Sequence, residues 1–178
     1  MRIPSLFALD LVPAGAIRPR AIVGDARTPP LRKGSLGLIF AISVVEHIGR
    51  DNAVYLEGRH GPVDADGDFT SIRALASVLE RRGRLLVTVP FGRLEDHGWF
   101  VQYDLHRLRE LIAASGLEVE ELEFFRYTGA WTGPHPPRQL DACRYGHEAV
   151  AAAGLACLSL VKDPGTIARL RRRLRRFC

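Results

Sequence analysis

Residues 38–42, Leu-Ile-Phe-Ala-Ile, form an unbroken apolar run between the polar turn Lys33-Gly34-Ser35 and the break at Ser43. An unalternating run of that length between turn signals predicts a strand buried on both faces, as in a parallel sheet covered by helices. A second run, Leu85-Leu86-Val87-Thr88-Val89, ends at Pro90. Between the two, Ile72, Leu75, Ala76 and Leu79 repeat at i, i+3, i+4, i+7. That spacing predicts a helix opening near Asp68 or Thr70 and stopping at Gly83. The pair of runs should therefore be adjacent, parallel strands joined through a helix.

The same reading extends along the chain. Leu6-Phe7-Ala8-Leu9 is a short strand ended by Asp10, and Val12-Pro13-Ala14-Gly15 turns. A brief strand over residues 21–23 leads to the acidic turn Gly24-Asp25-Ala26 and a Pro-rich loop, Thr28-Pro29-Pro30-Leu31. Residues 50–68 read mostly as loop, with a helical turn around 52–56. A second helix follows Asp104 as N-cap, with Leu105, Leu108, Leu111 and Ile112 on its apolar face and Gly116 at its end. An outer strand over 117–126, a loop over 128–137, a short Ala-rich helix over 148–153 and a last strand over 156–161 complete the pattern. Alternating strands and helices predict a doubly wound, mostly parallel sheet.

Length and charge narrow the functional classes. At 178 residues, 47% of them hydrophobic, one domain with a substantial core is expected. The net charge of +5 is misleading, because residues 163–178 hold six arginines and one aspartate. The rest carries 19 basic and 19 acidic side chains, so its body offers no general surface for nucleic acid. The three cysteines, Cys143, Cys157 and Cys178, are widely spaced, which predicts free thiols and a cytoplasmic location. Asp64-x-Asp66-Gly67-Asp68 lacks the sixth-position glycine and twelfth-position glutamate of a calcium loop, and the six histidines show no ligand spacing, so no metal is expected.

The order of these segments, from about residue 5 to 162, resembles a class I S-adenosylmethionine-dependent methyltransferase of the type 11-like group. The resemblance rests on the acidic-small turn Asp25-Ala26, the Pro-rich loop, and a strand running through Ser43 to Glu46-His47. It departs from the family where no G-x-G occurs and where Gly37 stands in place of a common aspartate. The family's first strand and glycine-rich loop have no counterpart, which implies a Rossmann-like domain incomplete at its N-terminus. The resemblance implies S-adenosylmethionine as cofactor, held by Asp10, Asp25, Ala26 and Ser43. It implies a small-molecule or sugar acceptor met by Trp99, Tyr103 and His106, with His47 as the candidate catalytic base. A carboxylate at a strand end accepts two bonds from a ribose, and an imidazole near neutral pKa suits removal of a proton from a hydroxyl or amine.

Two alternatives stay open at this point. The domain is either an enzyme or a non-catalytic remnant that serves as a scaffold or partner-binding unit. Residues 163–178 are expected to form a separate basic amphipathic helix after the 1–162 domain. In it Ile167, Leu170, Leu174 and Phe177 make a narrow stripe and arginines cover the rest. Such a helix suits an anionic membrane surface or an acidic partner.

Overall fold

The computed structural model describes residues 6–11, 20–53, 63–147, 151–163 and 165. Strands β1 (Ala8–Asp10) and β2 (Ala21–Val23) pair in parallel as a two-stranded ribbon. Strand β3 (Leu36–Ile42), helix α1 (Gly67–Val78) and strand β4 (Leu79–Pro90) form the expected βαβ unit. Ile39 lies opposite Leu85 and Ala41 opposite Val87, in parallel register. A short hairpin follows, β5 (Glu95–Asp96) and β6 (Val101–Gln102), then helix α2 (Leu105–Ser115). Strands β7 (Glu118–Tyr127), β8 (Trp131–Thr132) and β9 (Gly154–Val161) complete the larger sheet. Its order is β3-β4-β9-β7-β8.

The helix boundaries have local causes. The Asp104 carboxylate accepts from the Arg107 N–H at 2.8 Å and caps α2, and Gly116 ends it in the left-handed conformation (φ 65°). The α1 boundary differs from the sequence expectation. Leu79 turns to extended backbone (φ −67°, ψ 137°), so the helix passes straight into β4 and Gly83 lies inside the strand. Lys162, just after β9, donates to the carbonyls of Ala76, Ser77 and Leu79 at 2.8–3.2 Å. A cation there satisfies acceptors that a helix end otherwise leaves open.

Two expectations are corrected. The sheet is mixed rather than mostly parallel, because β9 runs antiparallel to both β4 and β7 and β8 is antiparallel to β7. Nor is it doubly wound among the described residues. One core cluster joins Ile72, Leu75, Leu108 and Leu111 of the helices to Ala41, Leu85, Val87, Leu158 and Leu160, all from one face of the sheet. The other face lacks a helix among those residues. Among the described residues β3 stands at one end of the sheet order, and it is not buried on both sides. Leu38, Phe40 and Ile42 are 47%, 57% and 53% exposed, while Ile39 and Ala41 pack into the core. Periodicity cannot distinguish a strand covered twice from one covered once when both faces carry apolar side chains.

Several other expectations fall outside the described residues, wholly or in part: the turn over 12–15, the helical turn over 52–56, the helix over 148–153 and the tail helix over 163–178. Within the third, residues 151–153 are not helical.

Candidate functional site

The carboxyl end of β3 is where buried and exposed chemistry meet. Ser43 leaves the strand with φ 49°, a left-handed conformation uncommon outside glycine, and its N–H donates to Thr88 Oγ1 at 3.0 Å. That bend sends the chain into a 3-10 turn, Val45–His47, which packs against α1, β4 and β6. Glu46 is carried inward and is 2% exposed, whereas His47 remains half-buried.

The two neighbours titrate in unusual ranges. Burial pushes the Glu46 carboxyl up to about 7, partly offset by hydrogen bonds from its own backbone N–H and from the Ser43 hydroxyl. Burial lowers the His47 pKa below its ordinary value, so the imidazole is neutral at pH 7. His47 Nδ1 lies 3.0 Å from the Trp99 carbonyl oxygen. A carbonyl only accepts, so Nδ1 carries the hydrogen and Nε2 is the basic nitrogen. Nε2 stands 3.9 Å from Glu46 Oε1. Aromatic rings wall this corner: Trp99 is 5.1 Å and Phe100 5.8 Å from the imidazole, centroid to centroid, and Tyr145 packs 4.6 Å from Phe100. Asn52 Nδ2 donates to the His47 carbonyl at 2.7 Å, and Arg50 reaches Asp96 at 2.7 Å, so the turn is tied to β5.

The acidic turn after β2 is tied to the same corner. Asp25 accepts from the Arg27 backbone N–H at 2.8 Å, from Nε at 2.9 Å and from Nη2 at 2.7 Å, and those bonds hold its carboxyl below the usual carboxylate range. Arg27 also faces Asp64 at 3.8 Å, and Asp64 N–H donates to the Gly49 carbonyl at 2.8 Å. Asp25-Ala26 and Glu46-His47 are thus joined through Arg27, Asp64 and Gly49.

The structure brings Ser43, His47 and Trp99 together. Asp10 is exposed at the end of β1, and Ala26 sits half-buried in the acidic turn. Tyr103 and His106 do not join the group. Tyr103 is fully buried and its hydroxyl donates to Asp68 Oδ2 at 2.6 Å. His106 points outward from α2, its side chain 80% exposed and 3.4 Å from Glu110. Three residues that carry the local electrostatics escaped the sequence reading. Glu46 is one, and the signal was present: a carboxylate inside Val44-Val45-Glu46-His47-Ile48 has little but apolar company. Asp68 and Arg107 are the others. Arg107 Nη2 donates to Asp68 Oδ2 at 2.7 Å and its guanidinium lies 4.7 Å over the Phe69 ring. Nothing in their spacing announces that pair, because 39 residues separate them.

No family model matches this chain, and none of the curated proteins matches it significantly. Solved structures do. One is 1,6-didemethyltoxoflavin-N1-methyltransferase of Burkholderia thailandensis, with 1,6-didemethyltoxoflavin and S-adenosylhomocysteine bound. It is 13% identical, with a TM-score of 0.53 over 88% of this chain and 60% of that one. The cyclase SpnF is 19% identical, with a TM-score of 0.51 over 84% and 58%. A SAM-dependent methyltransferase of Methanosarcina mazei is 11% identical, with a TM-score of 0.50 over 80% and 67%. The chain spans about six tenths of the length of the first two. At such identities the likeness is one of fold: a Rossmann-like α/β architecture of the kind seen in SAM-dependent methyltransferases.

Proposed function

We propose that this chain carries S-adenosylmethionine-dependent methyl transfer to a small-molecule or sugar acceptor. The observation that carries the reading is the corner at the end of β3. There a neutral imidazole of defined tautomer stands beside a buried carboxyl and an aromatic wall, and open α/β sheets bind ligands at such strand ends. The likeness to methyltransferase structures supports it, while the likeness to a cyclase is a reminder that fold does not fix chemistry.

The adenosine half of the cofactor fits residues that are present. Asp10, exposed at the end of β1, suits the two ribose hydroxyls. Asp25 suits an amino donor, although three N–H groups of Arg27 already occupy most of its roughly four acceptor sites. Ala26 and Ser43 would flank the ring. When bound, the cofactor supplies an activated methyl group on a sulfur leaving group. His47 Nε2 takes the proton from the acceptor hydroxyl or amine, and the Trp99 carbonyl holds the ring in the tautomer that can do so. Trp99 borders the acceptor. Tyr103 acts from beneath by positioning Asp68 and α1, and His106 reaches only an acceptor that extends over α2.

A second reading is a non-catalytic, methyltransferase-like scaffold. Its supporting observation is that Asp25 is already satisfied by Arg27. Isothermal titration with S-adenosylhomocysteine separates the two. Because the chain lacks a G-x-G loop, binding should be weak, in roughly the 0.1–1 mM range, and about tenfold weaker still in Asp10→Ala. Absence of heat, or binding indifferent to Asp10, would reject the enzyme reading.

A further inference from the structure

Aromatic rings gather beside the β3 corner, most of them from the turn between β5 and β6. Phe100, 2% exposed, is the hub. The His97 imidazole lies flat against it, 4.4 Å between centroids and 3° between planes. Trp99 and Tyr145 each meet Phe100 at 4.6 Å, and His47 stands at 5.8 Å. Around the buried hub, His47, Trp99 and Tyr145 are half-buried and reach solvent. This wall is fastened from behind. The Cys143 carbonyl accepts from the Arg93 N–H at 3.0 Å and from Gln102 Nε2 at 2.9 Å, and Arg144 Nε donates to Glu95 Oε1 at 2.7 Å. Those bonds tie residues 143–145 to the hairpin, so Tyr145 is placed by its neighbours. Side chains fixed in advance lose less freedom when a ligand arrives.

We propose, resting on the methyl-transfer reading above, that the acceptor is a flat aromatic ring bearing a hydroxyl, stacked on Trp99 and Tyr145 with its oxygen against His47 Nε2. Two features narrow the class. The first is the angle between the walls. The planes of Trp99 and Tyr145 are 86° apart and their centroids 6.2 Å apart. A planar guest parallel to one is therefore perpendicular to the other, which offers it the two arrangements that aromatic quadrupoles favour, offset stacking and edge-to-face. A saturated ring answers neither. The second is base strength. Burial lowers the His47 pKa below its ordinary value. So weak a base is poorly matched to an alkyl hydroxyl, whose pKa is close to the ~16 of bulk water, and much better matched to a phenol at ~10. A sugar has neither a π face nor so acidic a hydroxyl.

Trp99 links the two features. Its carbonyl, 3.0 Å from Nδ1, fixes the imidazole tautomer, and its ring, 5.1 Å from the imidazole, backs the acceptor. One residue thus sets both the platform and the base, so a stacked ring brings its hydroxyl into register with Nε2. The acceptor O–H bond then breaks towards Nε2, the oxygen pair forms the new O–C bond, and the C–S pair stays on the sulfur leaving group. One sulfonium charge is exchanged for one imidazolium charge. His97 acts from behind, flat on Phe100 and 3.7 Å from Glu95, and holds the hub in place.

The full chain has two tryptophans, and Trp131 is 49% exposed on β8. Trp131→Phe keeps a ring against Tyr127 and leaves Trp99 as the sole fluorescent reporter. Phenol, anisole, cyclohexanol and glucose are titrated into that chain without cofactor. Phenol should quench Trp99 and bind about tenfold more tightly than cyclohexanol, which has the same skeleton. Anisole should bind less tightly than phenol, and glucose should leave the emission unchanged. Adding His47→Phe, which keeps a ring in the wall but removes Nε2, should erase the phenol–anisole difference and preserve the phenol–cyclohexanol one. Adding Tyr145→Leu should lose most of the latter. Equal affinity for phenol and cyclohexanol, tighter binding of glucose, or no quenching by phenol would overturn the proposal. These titrations answer separately from the one with S-adenosylhomocysteine. Phenol selectivity without S-adenosylhomocysteine binding would uphold the aromatic site and sink methyl transfer, whereas the reverse would keep methyl transfer and reject an aromatic acceptor.

Discussion

Replacing Glu46 by Gln tests the electrostatics of the β3 corner more sharply than any activity assay. A carboxyl 2% exposed, raised from 4.5 to about 7, keeps its proton in the folded chain over a range where the unfolded chain has released it. Below pH 4.5 both states are protonated and burial carries no ionisation penalty. As pH rises towards 7 the folded state binds more protons than the unfolded, so stability falls. Above about 7 the penalty is complete. At 1.36 kcal/mol per pH unit, a shift of that size is worth about 3 kcal/mol. Glutamine has nearly the shape of the protonated acid, keeps an acceptor for the Ser43 hydroxyl, and never ionises. Glu46→Gln should therefore match the native chain near pH 4 and exceed it by about 3 kcal/mol at pH 8.

Urea unfolding at several pH values reads this directly, provided the slope with denaturant is unchanged. His47, whose pKa burial lowers, adds a slope of the opposite sign just below its ordinary value. That slope is common to both proteins and cancels in the difference. A stability difference that stays flat from pH 4 to 8 would refute the reasoning, because it would mean that Glu46 ionises in the folded chain as it does in water.

Asp68→Asn should lower stability by about 3 kcal/mol, since it leaves the Arg107 guanidinium without its buried counter-charge, and thermal unfolding measures the loss. Gly49→Ala should be poorly tolerated, costing at least about 2 kcal/mol, because the residue has φ 81° and a Cβ would press on the Asp64 carbonyl and the Gly67 backbone. Gly34→Ala, at φ 68° with open space around it, should cost only about 1 kcal/mol, so the same urea titration isolates the steric part.

The strands over 38–42, 85–89 and 156–161 were legible because each is a compact apolar run, whereas the two-residue strands β5, β6 and β8 were not, since pairs such as Glu95-Asp96 and Trp131-Thr132 carry no such pattern. The 38–42 and 85–89 runs pair as their pattern implied. The α2 boundaries were legible because Asp104 and Gly116 carry local backbone chemistry. The antiparallel return of β9 between β4 and β7 was not, since strand order is a tertiary fact that a run such as Leu158-Ser159-Leu160-Val161 does not encode. Of the site, the acidic turn and His47 were readable from position after a strand. The inward rotation of Glu46 was not, because it depends on left-handed Ser43, and serine is no more than a weak signal for that conformation.

The β3 corner and the exposed side of β3 are contiguous at Ile42 and Ser43, yet they rest on different packing. Glu46 is enclosed by α1, β4 and β6, all on the core side, while Leu38, Phe40 and Ile42 point the other way. The carboxyl is therefore buried whether or not a helix lies on the opposite face.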